Sequence, residues 1–197
     1  MKRCLPLLLI LFLAGGAYTF AADSGSGDDV HQDAPVEYKT NDTGDQYIKI
    51  AIMGVQPQNF DQQLKTGGAA ELGYHRFISS LFALGFDIQF GYNPTIGSNM
   101  FTFVPMTLTG TFQPYIGRFE FPFTFGVGAA LESYLSRNYF PGLVLKGQAG
   151  AFFRATESWS FGIESEYMYM PQWYRDHPEY NDYGLFLTVG LVARYHF

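Results

Sequence analysis

The stretch Tyr183-Gly-Leu-Phe-Leu-Thr-Val-Gly-Leu-Val-Ala-Arg-Tyr-His-Phe197 constrains the fold more than any other part of the chain. Every second residue back from Phe197 is apolar or aromatic: Tyr195, Ala193, Leu191, Val189, Leu187, Leu185 and Tyr183. The interleaved set, His196, Arg194, Val192, Gly190, Thr188, Phe186 and Gly184, is small or polar apart from Val192 and Phe186. Successive side chains of a strand point to opposite faces, so this segment has one greasy face and one mixed face. Aromatic residues mark both ends of the greasy face. That is the pattern of a barrel strand immersed in lipid.

The same period of two recurs from Gln46 onward and predicts eight strands. They fall near Tyr47–Val55, Gly68–Phe77, Phe82–Gly91, Phe101–Phe112, Phe119–Glu132, Leu143–Phe153, Trp159–Tyr169 and Tyr183–Phe197. The third is the cleanest: Phe82, Leu84, Phe86, Ile88 and Phe90 alternate with Ala83, Gly85, Asp87, Gln89 and Gly91. A length of about 9–12 residues suits a strand crossing a bilayer at a barrel tilt. Ile78–Ser80, Gln113–Arg118 and Ala155–Ser158 read as short connections. Gln56–Thr66, Asn93–Asn99, Ser133–Gly142 and Pro171–Asp182 are mostly longer and richer in Pro, Asn and aromatics. Short turns on one side and long loops on the other are expected of an outer-membrane barrel. Both termini then face the periplasm and the longer loops face outward. Pro105 and Pro122 fall inside predicted strands, where a closed barrel has no edge to absorb a missing N–H; a bulge or an early strand end is expected at each.

The first 22 residues read as a signal peptide. Lys2 and Arg3 precede the apolar run Leu5–Ala14, too short to span a membrane, and small residues offer cleavage after Ala21 or Ala22. Cys4 is the only cysteine, so the mature chain would carry no disulfide. Removal of Lys2 and Arg3, with no acid alongside, moves the net charge from -6 to -8. Residues 23–45 hold seven acids and few apolar side chains and read as a disordered acidic tail. The barrel domain is 46–197. The acidic balance excludes nucleic acid as a partner, because phosphate binding needs a basic patch.

Charged residues make up only 15% of the chain, against about 25% in a typical soluble domain. Those inside the predicted strands share the minor face: Lys49, Glu71, Asp87, Glu120, Lys146, Glu164, Glu166 and Arg194. Facing lipid, each basic residue would cost roughly 2–4 kcal/mol near the midplane, a sum comparable with a total stability of about 5–15 kcal/mol. They therefore belong in the lumen, which in an eight-stranded barrel is just wide enough for side chains to fill. Acids and bases there should pair. Lys146 and Glu166 should lie at similar height, with Glu164 near mid-barrel. Arg194 and Lys49 approach the periplasmic end, where Glu120 would join them. The set reads as a structural salt-bridge network or as a gate that exchanges partners.

From these features the chain resembles the small outer-membrane β-barrels typified by the OmpA transmembrane domain, OmpX and OmpW. The resemblance covers Gln46–Phe197. It rests on strand number, loop asymmetry and the terminal Val189-Gly-Leu-Val-Ala-Arg-Tyr-His-Phe197, where Tyr195 and Phe197 match the signal read by the barrel-assembly machinery. It implies a bacterial outer-membrane location, outer-membrane lipid as surroundings and no cofactor. The function expected is non-enzymatic: a packed polar lumen, with surface loops serving envelope structure and external contacts. The alternative is a narrow gated channel for small solutes or apolar molecules, open if gaps lie beside Gly85, Gly126, Gly128 and Gly190. No two of His31, His75, His177 and His196 have metal-ligand spacing. His177 lies beside Asp176 but without a His-x-Ser arrangement. Trp173, Tyr174, Arg175, His177 and Tyr180 cluster in the last loop and are candidates for contact with extracellular or host molecules.

Overall fold

The computed structural model describes residues 41–60, 64–95, 97, 99–134, 137–172 and 182–197. Eight long antiparallel strands form the wall: β1 (Gln46–Pro57), β2 (Gly67–Phe77), β3 (Phe82–Pro94), β4 (Met100–Phe112), β7 (Phe123–Tyr134), β8 (Arg137–Arg154), β9 (Trp159–Gln172) and β10 (Asp182–His196). Two short strands, β5 (Tyr115–Ile116) and β6 (Phe119–Glu120), form a small hairpin between β4 and β7. Each long strand pairs with its sequence neighbour, and β1 pairs with β10, as in Ile50↔Ala193. The sheet is therefore closed and the long strands have no free edge.

Burial alternates along the eight long strands wherever it is described, because the pleat sends odd and even positions to opposite sides. On β1, Lys49, Ala51, Met53 and Val55 are buried while Ile50 and Ile52 are exposed. On β3, Asp87 and Gln89 are buried while Phe86, Ile88 and Phe90 are exposed. This inverts the order of a soluble protein. Leu84, Leu108, Phe125, Ile163 and Leu191 continue the apolar outer band around the wall, far beyond the few hundred Å² of contiguous apolar surface that soluble monomers expose. Such a surface is stable only in lipid, so the fold is a transmembrane β-barrel. Tyr74, Trp159, Tyr195 and Phe197 sit on the outside toward the chain termini, and Tyr92 and Tyr183 toward the other rim.

The two prolines behave differently. At Pro122 the strand breaks, separating β6 from β7. The backbone is satisfied across the break, since Phe121 N donates to Pro114 O and Gly150 N donates to Pro122 O. A single strand running from Phe119 is thus corrected to a turn-side hairpin followed by β7. At Pro105 there is neither bulge nor strand end. Pairing with β7 is unbroken through Pro105↔Ala130, and pairing with β3 lapses only between Ile88↔Met106 and Gly91↔Phe103, resuming in the same register. One missing N–H is absorbed as a local gap in one ladder. The irregularity in the wall lies instead between Ala130 and Glu132, where β7 shifts register against β8. Beyond it, Ser133↔Asn138 and Tyr134↔Arg137 remain paired. Ser133–Gly142 is therefore mostly strand, not a loop; its Pro and Asn misled because ladder pairing from the bulge onward outweighs local turn chemistry.

Candidate functional site: the layered lumen

The lumen is stacked in three layers. Toward the rim far from the termini, Met53, Val55, Phe101, Phe103, Val144, Met168, Met170 and Phe186 form an apolar layer. Phe103 and Phe186 lie with ring centroids 5.3 Å apart, and Phe60 folds over Phe186 at 5.1 Å. At the terminal end, Tyr47, Phe77 and Ala83 form a small apolar floor. Between them lie all eight charged residues singled out from the sequence, each no more than 2% exposed.

Two lysines organise the middle layer. Lys146 Nζ lies 2.9 Å from both Glu71 Oε2 and Asp87 Oδ2 and 3.4 Å from Glu166 Oε2. Lys49 Nζ lies 2.5 Å from Glu71 Oε1, 3.5 Å from Asp87 Oδ2 and 3.4 Å from Glu164 Oε1. Both ammonium groups thus share the same two carboxylates. Lys49 does not join Glu120 at the terminal end, where the sequence had grouped it; its long flexible stem lets the ammonium reach the mid-barrel acids. Glu120 instead meets Arg154 Nε at 3.1 Å and Arg194 Nη1 at 3.8 Å. Arg194 also reaches Glu164 at 3.7 Å, donates to Gln113 Oε1 at 3.0 Å and lies 3.4 Å over the Phe152 ring. Gln148 donates to Glu166 at 2.8 Å, and Gln113 to Glu120 at 2.8 Å.

The lumenal glycines leave no gap. A Cβ on Gly85 would collide with the His75 ring, and one on Gly190 with Met53. At Gly126 it would meet Lys146 Cγ at 2.8 Å and Thr109 Cγ2 at 3.0 Å; at Gly128 it would strike the Met106 carbonyl. These residues are glycine because a neighbour occupies the space a side chain would need.

Sequence reading missed Arg154, Gln113, Gln148, Ser160 and the two lumenal histidines as members of this network. Arg154 continues the inward spacing of Lys146, Gln148 and Phe152, a signal lost when the strand is ended at Phe153. His75 lies 2.9 Å from Asp87 Oδ1 and stacks on Tyr47 with centroids 4.7 Å apart. His196 brings Ser160 Oγ to 2.9 Å of Nε2, a pairing that suggests a nucleophile and its base. Arg154 Nη2, however, donates to His196 Nδ1 at 2.7 Å. The same Nη2 lies 3.2 Å from Nε2, so the guanidinium competes with Ser160 for the ring's lone pair. Among the described residues, no group of three His, Cys, Asp or Glu side chains could hold a metal ion. Trp173, Tyr174, Arg175, His177 and Tyr180 lie outside the described residues.

Comparison with solved structures returns small barrels. Neisserial surface protein A superposes with a TM-score of 0.59 at 10% identity, over 78% of this chain and 99% of that one. OprG from Pseudomonas aeruginosa gives 0.55 at 12% identity, over 79% and 97%. Ail of Yersinia pestis, in complex with the heparin analogue sucrose octasulfate, gives 0.53 at 17% identity, over 78% and 99%. At these identities the likeness is one of fold, that of the small eight-stranded outer-membrane barrels.

Sequence relatives are nearer. One protein-family model matches residues 26–195. An uncharacterized protein of Treponema pallidum (strain Nichols) is 32% identical over 180 residues, covering 82% of this chain and 81% of its own. A second uncharacterized protein of that strain is 28% identical over 188 residues, covering 88% of this chain but 57% of its own length, so this chain spans little more than half of that relative. The chain belongs to the same family as these Treponema pallidum proteins, here folded as an eight-stranded transmembrane β-barrel.

Proposed function

We propose that the protein is an integral outer-membrane barrel with a plugged lumen and no enzymatic activity, which acts through envelope structure and its outward loops. The observation that carries this reading is the filled lumen. A conducting path needs continuous water, and here two lysines, two arginines and five carboxylates are buried between an apolar cap and an aromatic floor. Seated in an outer membrane, the barrel would place its termini and short turns in the periplasm and its longer connections outside. The exposed Tyr195 and Phe197 would serve recognition by the assembly machinery. The last loop, with Trp173, Tyr174, Arg175, His177 and Tyr180, would make external contacts; that a barrel of this fold has been solved with a heparin analogue supports such a use of the fold.

A second reading, a narrow gated channel, has one specific feature in its favour. Lys49 and Lys146 share Glu71 and Asp87, so partners can be exchanged without losing every ion pair. Planar-bilayer conductance of the refolded mature chain separates the two. Verified folded protein is expected to be silent. Reproducible small steps altered by Lys146→Ala would overturn the plugged barrel and establish the gate.

A further inference from the structure

Among the described residues, the outer face carries a groove that a uniform lipid-facing band does not explain. A groove of about 430 Å³ runs along β3, β4 and β7 near the terminal end, between Ile78, Phe82, Leu84, Phe112, Phe123 and Phe125. Its floor is Gly110. In register, Leu84 faces Gly110 and Gly110 faces Phe125, while one step toward the turns Phe82 faces Phe112 and Phe112 faces Phe123. Gly110 is thus a notch in a row of large apolar side chains. A Cβ there would meet only Leu84 Cδ2, at 4.0 Å. Unlike the lumenal glycines, packing does not require glycine at this position.

A cation stands one strand beyond the groove's β3 wall. Arg76 on β2 pairs with Leu84, the residue lining the groove on its β3 side. Its side chain shares the exposed outer face with Tyr74, which donates to Gln46 near the terminal rim. Among the described residues Arg76 has no ion-pair partner. An arginine on the lipid face is costly at the midplane and tolerated near the interface, where its head reaches the polar layer. Its planar fork suits a phosphate group.

We propose that this face holds one phospholipid of the leaflet on the terminal side, with its phosphate on Arg76 and an acyl chain in the Gly110 groove. The apolar walls match a hydrocarbon chain, and the guanidinium of Arg76 next to the groove's β3 wall matches an anionic head. The groove would then order one lipid out of the surrounding shell. It lies outside the lumen and does not depend on whether the barrel conducts.

Native mass spectrometry of the folded, full mature chain, released from detergent containing phosphatidylglycerol, tests this. Wild type is expected to retain a single phospholipid above a statistical background. Gly110→Phe, which fills the notch, should abolish the retained adduct, and Gly110→Val should weaken it. Arg76→Gln should lower occupancy roughly tenfold, the loss expected for one charge-assisted hydrogen bond. A heat-dependent gel shift confirms that each variant is folded. Equal adducts in wild type and all variants, or a statistical ladder of adducts, would overturn the proposal in favour of ordinary annular lipid. A dimer lost on Gly110→Phe would overturn it in favour of a second copy as occupant.

Discussion

Lys146 is the test of how the lumen is held together. It is the ammonium closest to Glu71, Asp87 and Glu166 together, at 2.9, 2.9 and 3.4 Å. Lys146→Met keeps most of the volume and removes the charge. Glu71 and Asp87 then share Lys49 as their one remaining ammonium, with His75 still on Asp87 and Gln148 on Glu71, and Glu166 keeps only the Gln148 amide. Across the network four cations (Lys49, Lys146, Arg154, Arg194) face five carboxylates (Glu71, Asp87, Glu120, Glu164, Glu166), an excess of one acid. The substitution raises that excess to two in a buried layer. Removing one partner of a buried pair costs about 3–5 kcal/mol, roughly 10²–10⁴ in the folding equilibrium. Adding Glu166→Gln returns the excess to one, and the new amide can still hydrogen-bond Gln148. The double variant should therefore recover most of the loss. Equilibrium urea unfolding in lipid vesicles, followed by tryptophan fluorescence and gel mobility, reads both. Unchanged stability for Lys146→Met, or a double variant less stable than the single one, would refute charge balance as the organising constraint.

Other consequences are independent of that result. Gly85→Ala should force His75 from its place between Asp87 and Tyr47 and destabilise by about 1–3 kcal/mol, as overpacking does; the same unfolding assay checks it. Arg194→Lys keeps the charge but loses the planar contact with Phe152 and the forked reach to Gln113, Glu120 and Glu164. It should cost about 0.5–2 kcal/mol, in the range of a desolvated cation–π contact, so equal stability would deny that the stacking matters. Phe186→Ala, at the centre of the apolar cap, should cost about 3–5 kcal/mol by leaving a cavity. If the cap is also what excludes water, this variant should admit ions where wild type is silent. Finally, the closed wall predicts resistance to SDS until boiling; identical migration before and after heating would contradict it.

Sequence period carried the fold a long way, because in a barrel each strand reports its two faces without reference to its partners. The alternation of Phe82–Gly91 and of Tyr183–Phe197 fixes which side meets lipid, and the cost of turning Lys49, Lys146 or Arg194 outward fixes the sign. Period alone also sends Lys49, Glu71, Asp87, Glu120, Lys146, Glu164, Glu166 and Arg194 inward together. It does not decide which acid meets which base, because strands across the lumen are brought together only by closure and stagger of the wall. That is why Lys146 on β8 meets Glu71 on β2 and Asp87 on β3, and why Arg194 on β10 meets Glu120 on β6. Local chemistry was least informative where it competed with the ladder. Pro105 looked like a bulge or a strand end and is a gap of two pairs in one ladder; Ser133–Gly142 looked like a loop and is mostly paired. The glycines make the same division. Composition shows that Gly85, Gly110 and Gly126 are small, and only the packed barrel decides that His75 fills the first, Lys146 the last, and that the notch at Gly110 faces lipid.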